Sequence, residues 1–272
     1  MSVFSFFLDI DGTILGQGKS APSEAVCDAI GNARAEGCKV FINSGRTLSY
    51  IPDTIKKSGL FDGFCCGCGT YILCDGKVIT EKYLSKENLI AITDAFYGLK
   101  LSAHLVLEGR DKMYYLGEPN SWITNSGFIR ISSSEFFREQ SQLPAISKFS
   151  IHNDDRQRKE FLDLLRKEFK VMILPGYVEC VPLGYDKGNA ILQTEQYLGL
   201  DHRFSVAVGD SMNDFEMLKY AGISVAMGNS PTEVKNICDI VTESCENDGV
   251  AVIINKLLSD NSFSYLFEKN RN

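Results

Sequence analysis

The sequence predicts an α/β protein, a parallel sheet flanked by helices, with an α+β lobe inserted partway along the chain. Three observations carry this. Apolar runs of strand length alternate with helix-period segments from Phe6 to Cys66 and again from Asp186 onward. Two of those runs end in clustered acids, and a parallel sheet gathers its ligands at the carboxyl ends of strands. Between Ser85 and Tyr185 the rhythm changes to neighbouring strands with separate helices, the pattern of an α+β lobe. The expected division is residues 1–84 and 186–272 for the parallel-sheet unit and 85–185 for the lobe.

The elements follow in order. Phe6-Phe7-Leu8 is a buried strand running into Asp9-Ile10-Asp11-Gly12-Thr13. Pro22 and Ser23 open an amphipathic helix with Ala25, Val26, Ile30 and Ala33 on its apolar face, stopped by Gly37. Lys39-Val40-Phe41-Ile42 is the next strand and delivers Asn43-Ser44-Gly45-Arg46-Thr47 to the sheet edge that holds Asp9. A short helix from Ile51 to Lys57 and a strand at Gly63–Cys66 come next, then a hairpin from Thr70 to Thr80 turning at Asp75-Gly76. The lobe reads as a helix at Lys86–Gly98, strands at Ala103–Glu108 and Lys112–Leu116, and a poorly periodic stretch through Trp122 and Phe136. It continues with a strand at Ile146–His152, a charged helix from Asp155 to Phe169, and strands at Val171–Leu174 and Val178–Val181. The first rhythm resumes after Asp186-Lys187-Gly188 with a helix through Ala190, Leu192 and Tyr197. A strand, Phe204 to Val208, follows and runs into Gly209-Asp210-Ser211-Met212-Asn213-Asp214. Val225, the helix after Pro231 and a last helix capped at Asn247-Asp248 and running to Leu258 complete the chain.

Composition excludes several function classes. The 272 residues are 44% apolar and 23% charged with a net charge of −7, an acidic balance that argues against nucleic acid or an anionic membrane as partner. With no apolar run of transmembrane length and no signal-type start, the expected location is cytoplasmic. The nine cysteines lack paired zinc-type spacing and read as free buried thiols.

The acids carry the chemistry. Alternate residues of a strand face one side, so Asp9 and Asp11 deliver two carboxylates to one place, and such a pair repels itself unless a cation sits there. Hard oxygen donors with few nitrogen or sulfur groups nearby favour Mg²⁺. Asp-Gly alone is a solvated turn. The second acidic cluster, at Asp210 and Asp214 after another apolar strand, turns the pair into opposite walls of one metal site. A phosphate ester suits that site, because phosphoryl transfer is mostly positioning and charge neutralisation. On that reading Asp9 is the nucleophile and Asp11 the general acid and base. Asp9, Asp210 and a backbone carbonyl at Asp11 hold Mg²⁺, while Ser44, the Gly45 N–H and Lys187 hold the phosphate. Each residue also has an ordinary explanation. Ser44 before Gly-Arg is a helix N-cap sequence, most lysines are solvated, and Asp214 suits a helix N-terminus.

Taken together, Asp9-Ile10-Asp11-Gly12-Thr13, Ser44-Gly45-Arg46, Lys187 and Gly209-Asp210-Ser211-Met212-Asn213-Asp214 resemble the motifs of the haloacid dehalogenase-like superfamily. The long insertion between Ser44 and Lys187 is similar to its Cof-type branch. The resemblance covers nearly the whole chain. It implies a Rossmann-like, doubly wound core with an inserted α+β cap and Mg²⁺-dependent hydrolysis of phosphate monoesters through an aspartyl phosphate. It also implies that Asn213 reaches the phosphate and that Asp214 orients Lys187 or the metal's waters. The expected partner is a small phosphorylated metabolite, a sugar phosphate or a phosphorylated cofactor, acted on by a monomer or weak homodimer. The chain departs from the branch in two places: Ser44 stands where threonine is common, and Cys68-Gly69-Thr70 stands where an Asn-Gly-Ala-like turn is usual.

Two other readings remain open at this point. A phosphomutase shares the nucleophile but must exclude water from its intermediate. A phospho-acceptor domain also uses acids, Mg²⁺ and a lysine on a doubly wound sheet, yet gives no reason for an inserted lobe. In that lobe Tyr114, Tyr115, Trp122, His152 and Tyr177 are candidates to line a pocket or to form its core.

Overall fold

The computed structural model describes residues 3–152, 159–174 and 176–259, which form two compact units. The first takes in the chain through Gly45, then Ile51–Thr80 and the residues from Asp186 onward; the second takes in Arg46–Tyr50 and Glu81–Tyr185. In chain order the described strands are β1 Ser5–Leu8, β2 Lys39–Asn43, β3 Gly63–Cys66, β4 Tyr71–Cys74, β5 Lys77–Glu81, β6 His104–Gly109, β7 Met113–Leu116, β8 Ile129–Arg130, β9 Ile146–His152, β10 Phe169–Leu174, β11 Tyr177–Pro182, β12 Ser205–Gly209, β13 Ile223–Ala226 and β14 Ile240–Val241. The helices are α1 Glu24–Ala35, α2 Asp53–Lys56, α3 Lys86–Gly98, α4 Ser121–Asn125, α5 Glu135–Glu139, α6 Lys159–Leu165, α7 Lys187–Leu198, α8 Phe215–Tyr220, α9 Thr232–Lys235 and α10 Gly249–Ser259.

The fold is α/β, as the alternation of elements predicts. The first unit is one sheet in the order β14-β13-β12-β1-β2-β3-β4-β5, parallel from β14 to β3. Every residue of β1 and β12 is buried, as continuous apolar strands covered on both faces should be. Phe7 of β1 stacks on Phe41 of β2 with ring centres 5.1 Å apart. The register sets the site: Leu8 lies level with Ile42 on one side and Val208 on the other, so all three strands run out at the same edge. Chain segments leave β1 toward β2 on one side and return beside it as β12 on the other. Such a reversal of strand order marks the edge at which open α/β sheets place their ligands.

Helix α1 starts at Ser23, whose hydroxyl accepts a hydrogen bond from the Val26 N–H at 3.1 Å, and ends before Gly37, which takes φ 89°. Its buried stripe is Val26, Ala29, Ile30 and Ala33; Ala25, expected on that face, is exposed, because spacings of three and four from Val26 select Ala29 instead. The helix expected at Ile51–Lys57 is a 3₁₀ turn at Leu48–Tyr50 followed by the shorter α2. Pro52 is the reason, since a proline drives the residue before it out of the helical region. In the β4–β5 hairpin both Asp75 and Gly76 have positive φ, 45° and 76°, the pair a type I′ turn requires. Helix α7 runs through Ala190, Leu192 and Tyr197 as expected and buries Lys187, Ala190, Ile191 and Thr194, with Leu192 half-buried and Tyr197 47% exposed. Asp248 takes φ 54° ahead of α10 and accepts the Ser23 hydroxyl at 2.6 Å, tying the starts of α1 and α10 together.

The second unit is a sheet in the order β10-β11-β9-β6-β7-β8. One face packs Leu105, Leu107, Phe149 and Ile151 against Leu89 and Phe96 of α3, Phe137 of α5 and Phe161 and Leu165 of α6. Along β9 the alternate residues Lys148 and Ser150 are polar; Lys148 pairs with Glu179 and Glu108, and the Ser150 hydroxyl donates to Glu108 at 2.9 Å. Ser85 caps α3 in a reciprocal box with Asn88. The stretch through Trp122 and Phe136, which carries little sequence period, supplies α4, β8 and α5. The charged helix expected at 155–169 is described from Lys159 to Leu165, with residues 155–158 outside the described set and Phe169 already opening β10.

Candidate active site

Asp9 continues β1 by one residue, its N–H donating to the Val208 carbonyl at 3.0 Å, and its side chain is buried at the carboxyl edge. From α7 the Lys187 ammonium, 1% exposed, donates to Asp9 Oδ1 at 2.7 Å and to Asp214 Oδ1 at 2.6 Å. Asp214 is fully buried, and its second oxygen accepts the N–H groups of Asp210 and Ser211 at 2.9 and 3.0 Å. It thereby holds the β12–α8 turn and Lys187 at once. Gly209 is needed there, since a Cβ would stand 2.6 Å from the Asp214 carboxyl carbon.

Asp210 lies across from Asp9. Asp9, Asp210 and Asp214 each offer an oxygen, all within 4.8 Å of one another. Thr13 approaches from the first loop, its hydroxyl 3.4 Å from Asp210 Oδ1. Gly12 makes the close approach possible: it sits at φ 76°, and a Cβ would lie 2.4 Å from Asp210 Oδ2. Burial, then the Asp214 charge, pushes the Asp9 carboxyl up to about 8, with Lys187 pulling the other way. The same two causes push Asp210 up to about 7. Burial alone would lower the Lys187 ammonium, but Asp214 and Asp9 outweigh it and hold it well above its ordinary value. The site thus crowds more negative charge than one ammonium balances, and its donors are all oxygen. A hard divalent cation fits that set. Both Asp214 oxygens are already engaged by donors, so Asp9 and Asp210 are the residues of the three that could hold such an ion.

Of the other sequence candidates, Asp11 follows β1, Ser44 and Gly45 follow β2, and Asn213 lies in the β12–α8 turn. Ser44 is buried one residue beyond β2, fixed by its own N–H to the Cys65 carbonyl at 2.9 Å and by the Cys68 N–H to its carbonyl at 3.1 Å. Cys68 makes that bond from φ 56°, so the Cys68-Gly69-Thr70 turn braces Ser44. Gly45 and Asn213 are half-buried, and the Asn213 Oδ1 accepts the Ser211 hydroxyl at 2.7 Å. Asp11 is exposed, and its charge adds to the upward push on Asp210. Arg46 belongs to the second unit, where it lies over the Tyr50 ring at 5.2 Å and donates to the Tyr50 carbonyl at 3.0 Å. All nine cysteines are free.

Of the lobe's aromatic candidates, Tyr114 is core and Tyr115 is buried. Trp122, 41% exposed, meets His152 at 5.0 Å, and His152 stacks on Tyr177 at 5.6 Å. His104, His152 and His202 bond to the Glu118 carbonyl, Ser150 and Glu195.

Two residues absent from the sequence reading of the site stand out. The Asn43 side-chain amide donates to the Lys187 carbonyl at 2.9 Å. Asn229 donates to the Gly12 carbonyl and accepts from the Cys245 N–H, both at 2.9 Å. Nothing local in the sequence marks either role, since each hydrogen bond spans a long stretch of chain.

A family model described as haloacid dehalogenase-like hydrolase matches residues 6–254. Among curated proteins, the chain is 28% identical over 251 residues to the 5-amino-6-(5-phospho-D-ribitylamino)uracil phosphatase YcsE of Bacillus subtilis, covering 91% of this chain and 92% of that one. It is 22% identical to the phosphatase of the same substrate, YbjI, from Escherichia coli, covering 95% and 97%. Among solved structures, the subclass IIB sugar phosphatase BT4131 superposes with a TM-score of 0.80 at 21% identity, covering 94% of this chain and 99% of that one, a likeness of fold. No helix among the described residues is long and apolar enough to cross a membrane.

Proposed function

Since the chain belongs to the haloacid dehalogenase-like hydrolases and is a phosphatase of that superfamily, we propose that it hydrolyses small phosphorylated metabolites with Mg²⁺, through an aspartyl phosphate on Asp9. The observation that carries this is the buried Lys187 ammonium held between Asp9 and Asp214, with Asp210 facing them. A dianionic phosphate needs such a fixed cation beside an attacking carboxylate. An Asp9 oxygen attacks phosphorus and the bond to the leaving oxygen breaks, while Asp11 gives that oxygen a proton. Asp11 then takes a proton from water, which attacks the aspartyl phosphate, frees orthophosphate and restores Asp9. Ser44, the Gly45 N–H, Lys187 and Asn213 hold the phosphate oxygens, and Asp214 holds Lys187. Asp9, Asp210 and the backbone carbonyl at Asp11 would hold Mg²⁺, which supplies positive charge that offsets repulsion between carboxylate and phosphate.

The exposure of Asp11 favours hydrolysis over a mutase, because the residue that activates water is open to it. For the substrate we propose a phosphorylated sugar or polyol chain, selected by the inserted domain at 85–185. Two curated relatives are named for a phosphoribityl compound, and that kinship supports the choice. The test is a single-turnover reaction with a radiolabelled sugar phosphate, quenched in acid. Hydroxylamine-labile label on Asp9 that decays to orthophosphate is the expected result. Label that returns to an isomeric sugar phosphate overturns it in favour of the mutase.

A further inference from the structure

Asn43 is a polar side chain with no exposed surface at the end of β2, directly after the buried run Val40, Phe41 and Ile42. Its amide reaches 144 residues along the chain to the Lys187 carbonyl, and its Oδ1 is one of three buried side-chain polar atoms among the described residues with no hydrogen-bond partner. The Lys187 carbonyl opens α7, where the helix itself supplies an N–H donor to it, so folding gains little from a second donor. Burying an amide with half its valence unused is a cost, and an apolar residue would avoid it. Stability therefore does not explain Asn43. Its location does, because it precedes Ser44 directly and grips the backbone of Lys187.

We propose that Asn43 is a positioning residue that locks the Lys187 backbone to the strand end bearing Ser44, and so sets the spacing between the hydroxyl and the ammonium that receive the phosphate. The inference rests on the assignment of Ser44 and Lys187 as phosphate holders. Loss of the amide lets the start of α7 shift against β2, and phosphate oxygens then meet one holder or the other but not both.

The test is Asn43→Ala, with Asn43→Leu as the nearer match in volume. Three quantities are read: inhibition by orthophosphate, kcat and KM separately on p-nitrophenyl phosphate, and the urea midpoint. Orthophosphate inhibition weakened at least tenfold in both variants, with a urea midpoint at or above wild type, is the expected result. Orthophosphate inhibition within twofold of wild type in either folded variant overturns it, as does a fall in midpoint that accounts for lost activity while the folded fraction binds normally. Orthophosphate affinity is also read by thermal shift, so a wild type that hydrolyses nothing defeats the phosphatase reading while leaving this comparison in force. If Asn43→Ala does not fold, Asn43→Leu decides, and failure of both marks Asn43 as structural and overturns the proposal.

Discussion

Replacing Asp9 by Asn should abolish turnover and yet stabilise the metal-free protein, increasingly so as the pH rises. The structure supplies the sign. An ordinary aspartate ionises near 3.8, whereas burial and Asp214 push Asp9 up to about 8 in the folded state. Between those values the folded chain holds a proton that the unfolded chain has lost, so the contribution of Asp9 to stability declines as pH rises through the window. Asparagine has the same shape, still accepts from Lys187 and never ionises. The interval from 3.8 to about 8, at ~1.4 kcal/mol per pH unit, sets a ceiling of about 6 kcal/mol. Relaxation and water entry around a buried charge should reduce the measured gain to roughly 2–3 kcal/mol. Urea unfolding of both proteins in chelator at pH 5 and pH 8.5 measures it, with equal slopes required for a clean comparison. A gap that widens from pH 5 to pH 8.5 is expected. Asp9→Asn less stable than wild type at pH 8.5, or a gap independent of pH, would refute the reasoning.

Other outcomes follow from the same geometry. Asp210→Ala should shift the Mg²⁺ dependence of activity at least tenfold to higher concentration; an unchanged metal titration counts against Asp210 as a ligand. Lys187→Met leaves Asp9 and Asp214 buried together without a cation, and should cost about 3–5 kcal/mol of stability along with most orthophosphate affinity. A wild-type inhibition constant for orthophosphate would remove Lys187 from the phosphate site. In Gly12→Ala the left-handed backbone costs about 1–2 kcal/mol and the new Cβ collides with the Asp210 carboxylate, so thermal stability and metal affinity should fall together. Mg²⁺ binding should release protons near pH 7, where Asp9 and Asp210 are partly protonated, and calorimetry in buffers of different ionisation enthalpy reads that release.

Asp9, Ser44 and Asp210 were legible because each lies within two residues of the last apolar residue of a strand, and a parallel register brings such ends to one edge. Leu8, Ile42 and Val208 lie level, as that argument requires. Lys187 was legible only through its place at a helix start, and nothing local announces that it is fully buried between two acids. Asn43 and Asn229 were not legible at all, because their roles are hydrogen bonds across 144 and 217 residues of chain. The misplacement of Ala25 is an error of helical phase. Neighbouring positions of similar character compete for a stripe, and packing of the finished fold decides among them.

The most direct test of the account is orthophosphate release from a broad panel of phosphorylated metabolites, in Mg²⁺ and in chelator, with wild type and Asp9→Asn side by side. The account expects release from at least one sugar or polyol phosphate that needs Mg²⁺ and vanishes in the variant. Release that survives in Asp9→Asn, or a stable acyl phosphate on Asp9 with no release from any compound, would contradict it.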